Sequence, residues 1–141
     1  MIVVKRISDV NYAEHDEVWA IVRSLKHQNR MITQVSELSP SSELFQTYLS
    51  LKDEGKWNKD AFQKIYVPQF LHEMHSKEAK MYLRELCNLD AEGKNICIVC
   101  FCPDEELCHR SIVAGLLQGA GCNVSISKDY SFYFDQWKAM M

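Results

Sequence analysis

Cys108, His109 and Arg110 are adjacent in the sequence and stand directly before an apolar helical pattern. A thiolate at a helix start is stabilised by the helix dipole and by a nearby cation, which lowers the pKa of the thiol and makes its sulfur a nucleophile. Histidine transfers protons near neutral pH, and the planar guanidinium of arginine binds phosphate or carboxylate. These residues therefore predict an anion-binding site or a thiol-dependent catalytic site.

The element before this group is an unbroken apolar run over residues 95–102, which is typical of a strand buried on both faces of a parallel sheet. A loop over residues 103–107 joins that strand to the helix. In open α/β sheets, ligands bind beyond the carboxyl ends of the strands, where helix N-termini offer N–H groups to anions. The residues of this region that we assign to the site are Cys100, Cys108, His109, Arg110 and Ser111.

A second segment rich in hydroxyl groups contains Ser39, Pro40 and Ser41 and precedes another helical pattern. The proline ends the preceding element, and the serines can cap the helix that follows. We predict that Ser39 and Ser41 complete the site. Our preferred hypothesis is that a small anionic molecule, such as a nucleotide, binds between the two segments and contacts Arg110, whose guanidinium we expect to be open to water.

The hydrophobic pattern of the whole chain predicts alternating strands and helices. A strand, a helix and a strand in residues 1–35 predict a right-handed crossover with parallel strands. The predicted fold is one three-layer α/β domain over residues 1–141, with a small, mostly parallel sheet of about four strands and helices on both faces. Strands are predicted over residues 1–7, 31–35, 95–102 and 124–127. Helices are predicted over residues 13–25, 44–51, 58–70 with a break at Pro68, 76–89, 112–117 and 130–141, where an edge strand is the alternative.

Composition and charge exclude several classes of protein. The chain has 141 residues, of which 47% are hydrophobic and 25% charged, as in an ordinary globular domain. A net charge of −3 argues against non-specific nucleic-acid binding, which needs a basic surface. No apolar run approaches the ~20 residues of a membrane helix, and residues 1–7 lack a signal-peptide layout, so we expect a cytoplasmic protein without a membrane partner. No pattern indicates a cofactor or an oligomeric state.

The six cysteines are expected to be free thiols, because a protein without a secretory signal stays in a reducing compartment. Cys97 and Cys100 have zinc-like spacing, but a strand points them to opposite faces. Cys100 and Cys102 share a face, so that a site with Cys108 and His109 is the alternative to our prediction of no metal.

Three other interpretations, each based on a single motif, have less support from the sequence. A tyrosine-phosphatase loop requires arginine six residues after its cysteine, but Cys108 stands there when the count starts at Cys102. His72 and His75 share a helical spacing without a third ligand, so we interpret them as a solvated helix face. Stacking of a base on Trp57 or Tyr66 is a minor alternative.

Two further functions remain open from the residues alone. In a thiol-dependent enzyme, Cys108 would attack an electrophile, His109 would transfer a proton and helix N–H groups would hold the oxyanion. In an interaction module without a small ligand, the site would be filled by its own acidic loop, with Asp104 or Glu105 paired to Arg110.

The residues also resemble a known family. The strand ending in Val99 and Cys100, the acidic loop, and the run Cys108-His109-Arg110-Ser111 at a helix start resemble the C-terminal signature of the DUF488 family, a domain of unknown function. A second block agrees with one branch of that family: residues 37–44, followed by Trp57, Phe62 and Tyr66.

The resemblance extends over residues 31–127 in two blocks. Two features depart from the family pattern, since Ser39 stands where the branch often has alanine, and the first strand lacks the glycine-histidine turn of the wider family. The resemblance implies a small cytoplasmic α/β protein of bacteria or their viruses, with a site at Cys100, Cys108, His109 and Arg110. It implies no particular reaction.

Overall fold

The computed structural model of the chain describes residues 1–25 and 29–141. In these residues, five strands form one sheet with the order β3-β2-β4-β1-β5, and every pair of neighbouring strands is parallel. The strands are β1 (Ile2–Arg6), β2 (Glu17–Ala20), β3 (Ile32–Gln34), β4 (Ile96–Cys100) and β5 (Val124–Ser125).

Helices surround this sheet and confirm the predicted three-layer α/β class. A π-helical turn, Phe62–Tyr66, separates α2 from α3. None of the helices in the described ranges is both long and apolar enough to cross a membrane. The helices are α1 (Ser42–Asp53), α2 (Lys59–Ala61), α3 (Val67–Glu73), α4 (Lys77–Ala91), α5 (His109–Gly119) and α6 (Phe132–Ala139).

Strand β4 is the central strand, as its apolar run predicts. Every residue of β4 is buried, because β1 and β2 flank it and helices cover it. Its last residue, Cys100, pairs with Arg6 of β1, and Val99 pairs with Ala20 of β2. The carboxyl ends of the three middle strands therefore meet where Cys100 ends the apolar run.

The predicted helix over residues 13–25 is wrong, because β2 occupies its centre. Val18, Ile21 and Val22 have helical spacing, but they belong to a continuous buried apolar run, and a short run of this kind fits a strand equally well. The predicted crossover between the first strand and the strand at residues 31–35 is wrong for the same reason. Strand β3 pairs with β2, whereas β1 pairs with β4 and β5.

The other helix predictions are confirmed, together with their capping residues. Ser41 caps α1 by accepting a hydrogen bond from the Leu44 N–H at 3.1 Å, and Asn58 accepts one from Ala61 at 2.8 Å. Pro68 lies in the first turn of α3, where its missing donor costs little, and the chain changes helix type just before it.

The last segment of the chain is helical, so the alternative of an edge strand at residues 130–141 is wrong. This segment packs tightly on α5 at two glycines. A Cβ on Gly115 would lie 2.1 Å from the carbonyl oxygen of Tyr130, and one on Gly119 would lie 2.2 Å from Cβ of Phe134. Only glycine allows this close approach of the two backbones.

Candidate functional site

The loop between β4 and α5 is fixed by its own acidic side chains. Asp104 accepts a hydrogen bond from the N–H of Glu106 at 3.1 Å, and the Glu105 carboxylate accepts one from the Tyr130 hydroxyl at 2.7 Å. Glu106 forms an ion pair with Lys128. Glu105 and Glu106 therefore bind the C-terminal segment, Asp104 binds its own loop, and none of the three is paired with the arginine at the start of α5.

Three cysteine sulfurs meet at the carboxyl end of β4. The Sγ atoms of Cys100, Cys102 and Cys108, here called the thiol cluster, all lie within 4.8 Å of one another. The Sγ atoms of Cys100 and Cys108 are 3.0 Å apart. Cys100 and Cys108 are buried, whereas Cys102 is half-buried, so the cluster reaches solvent on one side. All six cysteines of the chain are free.

Arg110 is buried and contacts the thiol cluster through its guanidinium. Its Nη1 lies 3.3 Å from Sγ of Cys100 and also donates a hydrogen bond to the carbonyl oxygen of Cys102. The expectation that this guanidinium is open to water is wrong, because Arg110 is only 5% exposed. A side chain in the first turn of a helix points back towards its N-terminus, which here directs Arg110 to the end of β4.

Of the three cysteines in the thiol cluster, Cys100 is the one whose thiolate form is favoured. Hydrogen bonds with the thiols of Cys102 and Cys108 lower the pKa of Cys100 and outweigh the opposite effect of burial. The hydrogen bond that Arg110 donates to the Cys100 sulfur lowers this pKa further. Burial raises the pKa of Cys108, so the expected thiolate at the helix start is replaced by a thiol beside the Cys100 thiolate.

His109 is oriented by a backbone carbonyl. Its Nε2 lies 2.7 Å from the carbonyl oxygen of Ile21, and since that oxygen only accepts, Nε2 must carry the proton. In the neutral ring, Nδ1 is then an acceptor, and it lies 3.7 Å from Sγ of Cys108. Cys108 therefore has two acceptors for its proton, the Cys100 sulfur and the imidazole of His109.

A cleft leads from solvent to these groups. It consists of an outer cavity of about 240 Å³ and an inner cavity of about 70 Å³, which share four lining residues. The shared residues are Pro40, Phe45, Cys102 and His109. The outer cavity also contacts Arg23, Ser39 and Phe101, and the inner cavity also contacts Tyr48, Tyr66 and Cys108.

Arg23 is the exposed cation of this cleft, and sequence reasoning missed it. Its guanidinium donates hydrogen bonds to the Pro40 carbonyl at 3.2 Å and to the Ser42 hydroxyl at 2.6 Å. Arg23 follows β2, in the segment that the pattern assigns to a helix, so no pattern in the sequence places it near Pro40. The only sequence signal for Arg23 is its positive charge just after an apolar run.

The three serines assigned to the site lie in different surroundings. Ser39 lines the outer cavity, although its hydroxyl donates to the Ser36 carbonyl at 2.6 Å. Ser111 is fully buried and donates to the Cys108 carbonyl at 2.8 Å, so it supports the backbone of the helix start. The N–H and the hydroxyl of Ser41 both bind the Glu73 carboxylate, at 2.8 and 2.5 Å.

Ser41 lies in a larger open groove of about 810 Å³, which adjoins the outer cavity at Arg23, Ser39 and Pro40 and also contains His72 and His75. Because the Glu73 carboxylate already accepts from Ser41, this part of the structure offers an anion little, and the two histidines are apart from the thiol cluster. The structure therefore unites Cys100, Cys108, His109 and Arg110 with Ser39 nearby, but it does not bring Ser41 into the cleft.

The thiol cluster is also a candidate metal site. It is the one group of three or more clustered metal-ligating side chains in residues 1–25 and 29–141. Sulfur ligands about 2.3 Å from a tetrahedral zinc ion would be roughly 3.8 Å apart, whereas Cys100 and Cys108 are separated by 3.0 Å. The Arg110 cation beside Cys100 also opposes a second cation. The distances thus fit a thiolate that accepts hydrogen bonds from neighbouring thiols better than they fit a zinc site.

Comparison with known proteins gave one match. The family model DUF488-N3a, described as the active DUF488-N3 subclade, matches residues 2–121. The matched stretch runs from β1 to the end of α5 and contains the thiol cluster, His109, Arg110 and Arg23. Searches of the curated proteins and of the solved structures gave no match.

Proposed function

The chain belongs to the DUF488 family, and we propose that it is a thiol-dependent enzyme whose small anionic substrate binds in the cleft between Arg23 and the thiol cluster. One observation carries the proposal. Cys108 lies at the inner end of the cleft, with its Sγ 3.0 Å from the Cys100 sulfur and 3.7 Å from Nδ1 of His109. The description of the matching subclade as active agrees with catalysis.

Cys108 is the nucleophile in this proposal. Its proton passes to the Cys100 thiolate or to Nδ1 of His109 as the sulfur attacks an electrophilic atom of the substrate. When the Cys100 thiolate accepts the proton, the charge only moves between neighbouring sulfurs and no new charge has to be created in the buried cluster. Arg110 acts through Cys100, whose thiolate it stabilises, and a direct contact between Arg110 and the ligand stays a prediction.

The lining of the cleft suggests the substrate class. Arg23 provides a cation for a phosphate or carboxylate group, and Phe45 and Phe101 provide apolar surface for the body of the molecule. Pro40 lies between the two cavities and is common to both. A nucleotide or another aromatic anion combines these properties, since a planar ring contacts aromatic side chains while its phosphate binds a guanidinium.

We place this activity in the cytoplasm of a bacterium or of a cell infected by its virus. Six free cysteines, two of them in a pair 3.0 Å apart, are suited to a reducing compartment. A small anionic metabolite of that compartment is therefore the partner we propose.

The experiment that tests the function is alkylation of the native protein with iodoacetamide from pH 6 to 9, with the modified cysteines identified by mass spectrometry. We expect Cys108 to react faster than Cys97, although both are buried, because Cys108 lines the inner cavity and has the Cys100 sulfur beside it as a proton acceptor. Nucleotides or sugar phosphates should slow the modification of Cys108 and leave that of Cys122 unchanged.

The matched variant is Cys100→Ser, which removes the proposed proton acceptor and keeps a side chain of similar size. It should slow the alkylation of Cys108 at neutral pH. The proposal is wrong if Cys108 stays unmodified across this range while Cys97 reacts, or if no anion in the panel changes its rate.

A further inference from the structure

We propose that Cys100 and Cys108 form a site of reversible oxidation, at which a hydroperoxide converts the two thiols into a disulfide. The Sγ atoms are 3.0 Å apart, so an approach of about 1 Å brings them to the bond length of roughly 2.05 Å in a disulfide. Both residues belong to rigid parts of the fold, the end of the central strand and the start of α5.

The surroundings favour this pair over the other cysteines. Oxidation requires a thiolate, and Arg110 stabilises one on Cys100. Cys97 is buried on the opposite face of β4, because residues three apart in a strand point to opposite faces. Cys102 is the third sulfur of the cluster, but its pKa is raised to about 11, chiefly by its hydrogen bond with Cys100.

A second pair, Cys87 and Cys122, lies between α4 and the end of α5. The hydrogen bond between them lowers the pKa of Cys87, but the nearby Asp90 carboxylate opposes its thiolate, where Cys100 has a guanidinium. This second pair provides an internal comparison within the same molecule.

A hydroperoxide can reach the site through the cleft. The inner cavity of about 70 Å³ touches Cys108 and exceeds the ~10–15 Å³ that one water molecule needs, so hydrogen peroxide fits. Cys102 is half-buried at the same opening. The sulfur that meets the oxidant is therefore Cys108, with the Cys100 sulfur directly behind it.

The oxidation has two steps. First, the Cys108 proton moves to Cys100, and the Cys108 sulfur attacks a peroxide oxygen, so that an S–O bond forms, the O–O bond breaks and the departing hydroxide takes a proton from solvent to become water. Second, the Cys100 sulfur attacks the sulfenic sulfur of Cys108, and the S–S bond forms as a second water leaves with the thiol proton. Overall, one thiol, one thiolate, one proton from solvent and one hydrogen peroxide yield one disulfide and two waters.

The consequence for activity follows from the proposed function, whereas the oxidation needs only the two sulfurs and the oxidant. A disulfide removes the nucleophile Cys108 and removes the thiolate that binds Arg110. A small dithiol reverses the reaction by thiol–disulfide exchange. Cys102 neighbours the disulfide and is half-buried, so it is the sulfur of the cluster that a dithiol can reach. The disulfide would therefore protect the nucleophile Cys108, and reduction would recover it.

The test is titration of the reduced native protein with hydrogen peroxide, followed by intact mass measurement and peptide mapping without reduction. We expect the loss of two hydrogen atoms, a peptide that links Cys100 to Cys108, and full reversal by dithiothreitol. Cys122→Ser should form the same link. Cys100→Ser should form no such link and should instead gain oxygen on Cys108.

Three results would overturn the inference. The first is a link that joins Cys102 to either partner in place of the Cys100–Cys108 link. The second is that only Cys87 and Cys122 become linked. The third is that the thiols resist peroxide until a chelator is added, which would mean that a metal holds the cluster. An outcome in which the disulfide forms, but alkylation of Cys108 shows no response to anions, would reject the proposed function and leave the oxidation site standing.

Discussion

The Arg110 guanidinium lies 3.3 Å from the Cys100 sulfur, and the exposed fractions of the two residues are only 5% and 0%. Each residue would be costly to bury alone, since an unpaired cation or thiolate loses its hydration. Together they favour the thiolate form of Cys100 beside the thiol of Cys108. Nε of Arg110 has no hydrogen-bond partner among the described residues, and the guanidinium is held through its outer nitrogen at the end of β4.

The first prediction concerns Arg110→Met, which removes the charge but keeps an unbranched apolar side chain. Without the guanidinium, the pKa of Cys100 should rise towards the ordinary thiol value, so that thiolate absorbance in the ultraviolet appears only at higher pH. Arg110→Lys should restore part of the low-pH thiolate. Arg84→Met, at an exposed site on α4, is the control. An unchanged thiolate titration in a folded Arg110→Met protein would contradict the ion pair.

The second prediction is a pH dependence of the free energy of unfolding. The pKa of Cys100 is lowered in the folded state, so the folded protein lacks a proton that the unfolded chain binds up to about pH 8.5. Stability from this group therefore grows as pH rises towards 8.5, by at most about 1.4 kcal/mol per pH unit, and is lost as pH falls. The raised pKa of Cys108 acts in the opposite direction above pH ~8.5.

Urea unfolding of the native protein and of Cys100→Ser, measured from pH 5 to 8, checks this sign. The difference between their unfolding free energies should increase with pH, because groups common to both proteins cancel. A difference that stays flat would mean that Cys100 is protonated in the folded state.

Much of this site follows from the sequence because it depends on local signals. The apolar run of β4 and the apolar helical pattern of α5 place Cys100 and Cys108 at the same end of the sheet. The direction of Arg110 depends on how α5 packs against β4, which residue spacing does not encode. Arg23 was missed because β2 is a short apolar run, for which helix and strand patterns coincide.

The third prediction tests the cation of the cleft. Arg23→Ala should weaken the binding of a nucleotide or sugar phosphate about tenfold, which corresponds to the loss of one charged contact worth about 1.4 kcal/mol. Isothermal titration calorimetry at low salt measures this. Lys80→Ala is the control, since Lys80 lies at a different groove beside α6. Equal affinities of the native protein and Arg23→Ala would remove Arg23 from the ligand site.

The fourth prediction concerns the hydrogen bond between His109 and the carbonyl of Ile21. His109→Ala leaves this buried oxygen without its donor, which should reduce the free energy of unfolding by about 1–3 kcal/mol. It should also slow the alkylation of Cys108 near pH 7, because one proton acceptor is lost. His72→Ala, at an exposed position, should change neither quantity. Loss of stability with an unchanged alkylation rate would make His109 structural only.

The fifth prediction connects the C-terminal segment to the site through Gly115. A methyl group at this position would lie 2.1 Å from the Tyr130 carbonyl oxygen, so Gly115→Ala must displace the chain at Tyr130 and should cost about 1–3 kcal/mol of stability. The Tyr130 hydroxyl binds Glu105 in the loop that joins Cys102 to Cys108. Displacement should therefore also speed the alkylation of Cys102, the half-buried sulfur at the start of that loop.

Tyr130→Phe separates the two effects, because it removes the hydrogen bond to Glu105 and leaves the backbone in place. It should cost less stability than Gly115→Ala, about 0.5–1.5 kcal/mol, and still speed the alkylation of Cys102. If Tyr130→Phe leaves the reactivity of Cys102 unchanged while Gly115→Ala raises it, the loop is held by the packing of the backbone on α5 and the hydroxyl has no part in it. If neither variant raises it, the C-terminal segment does not control access to the sulfurs.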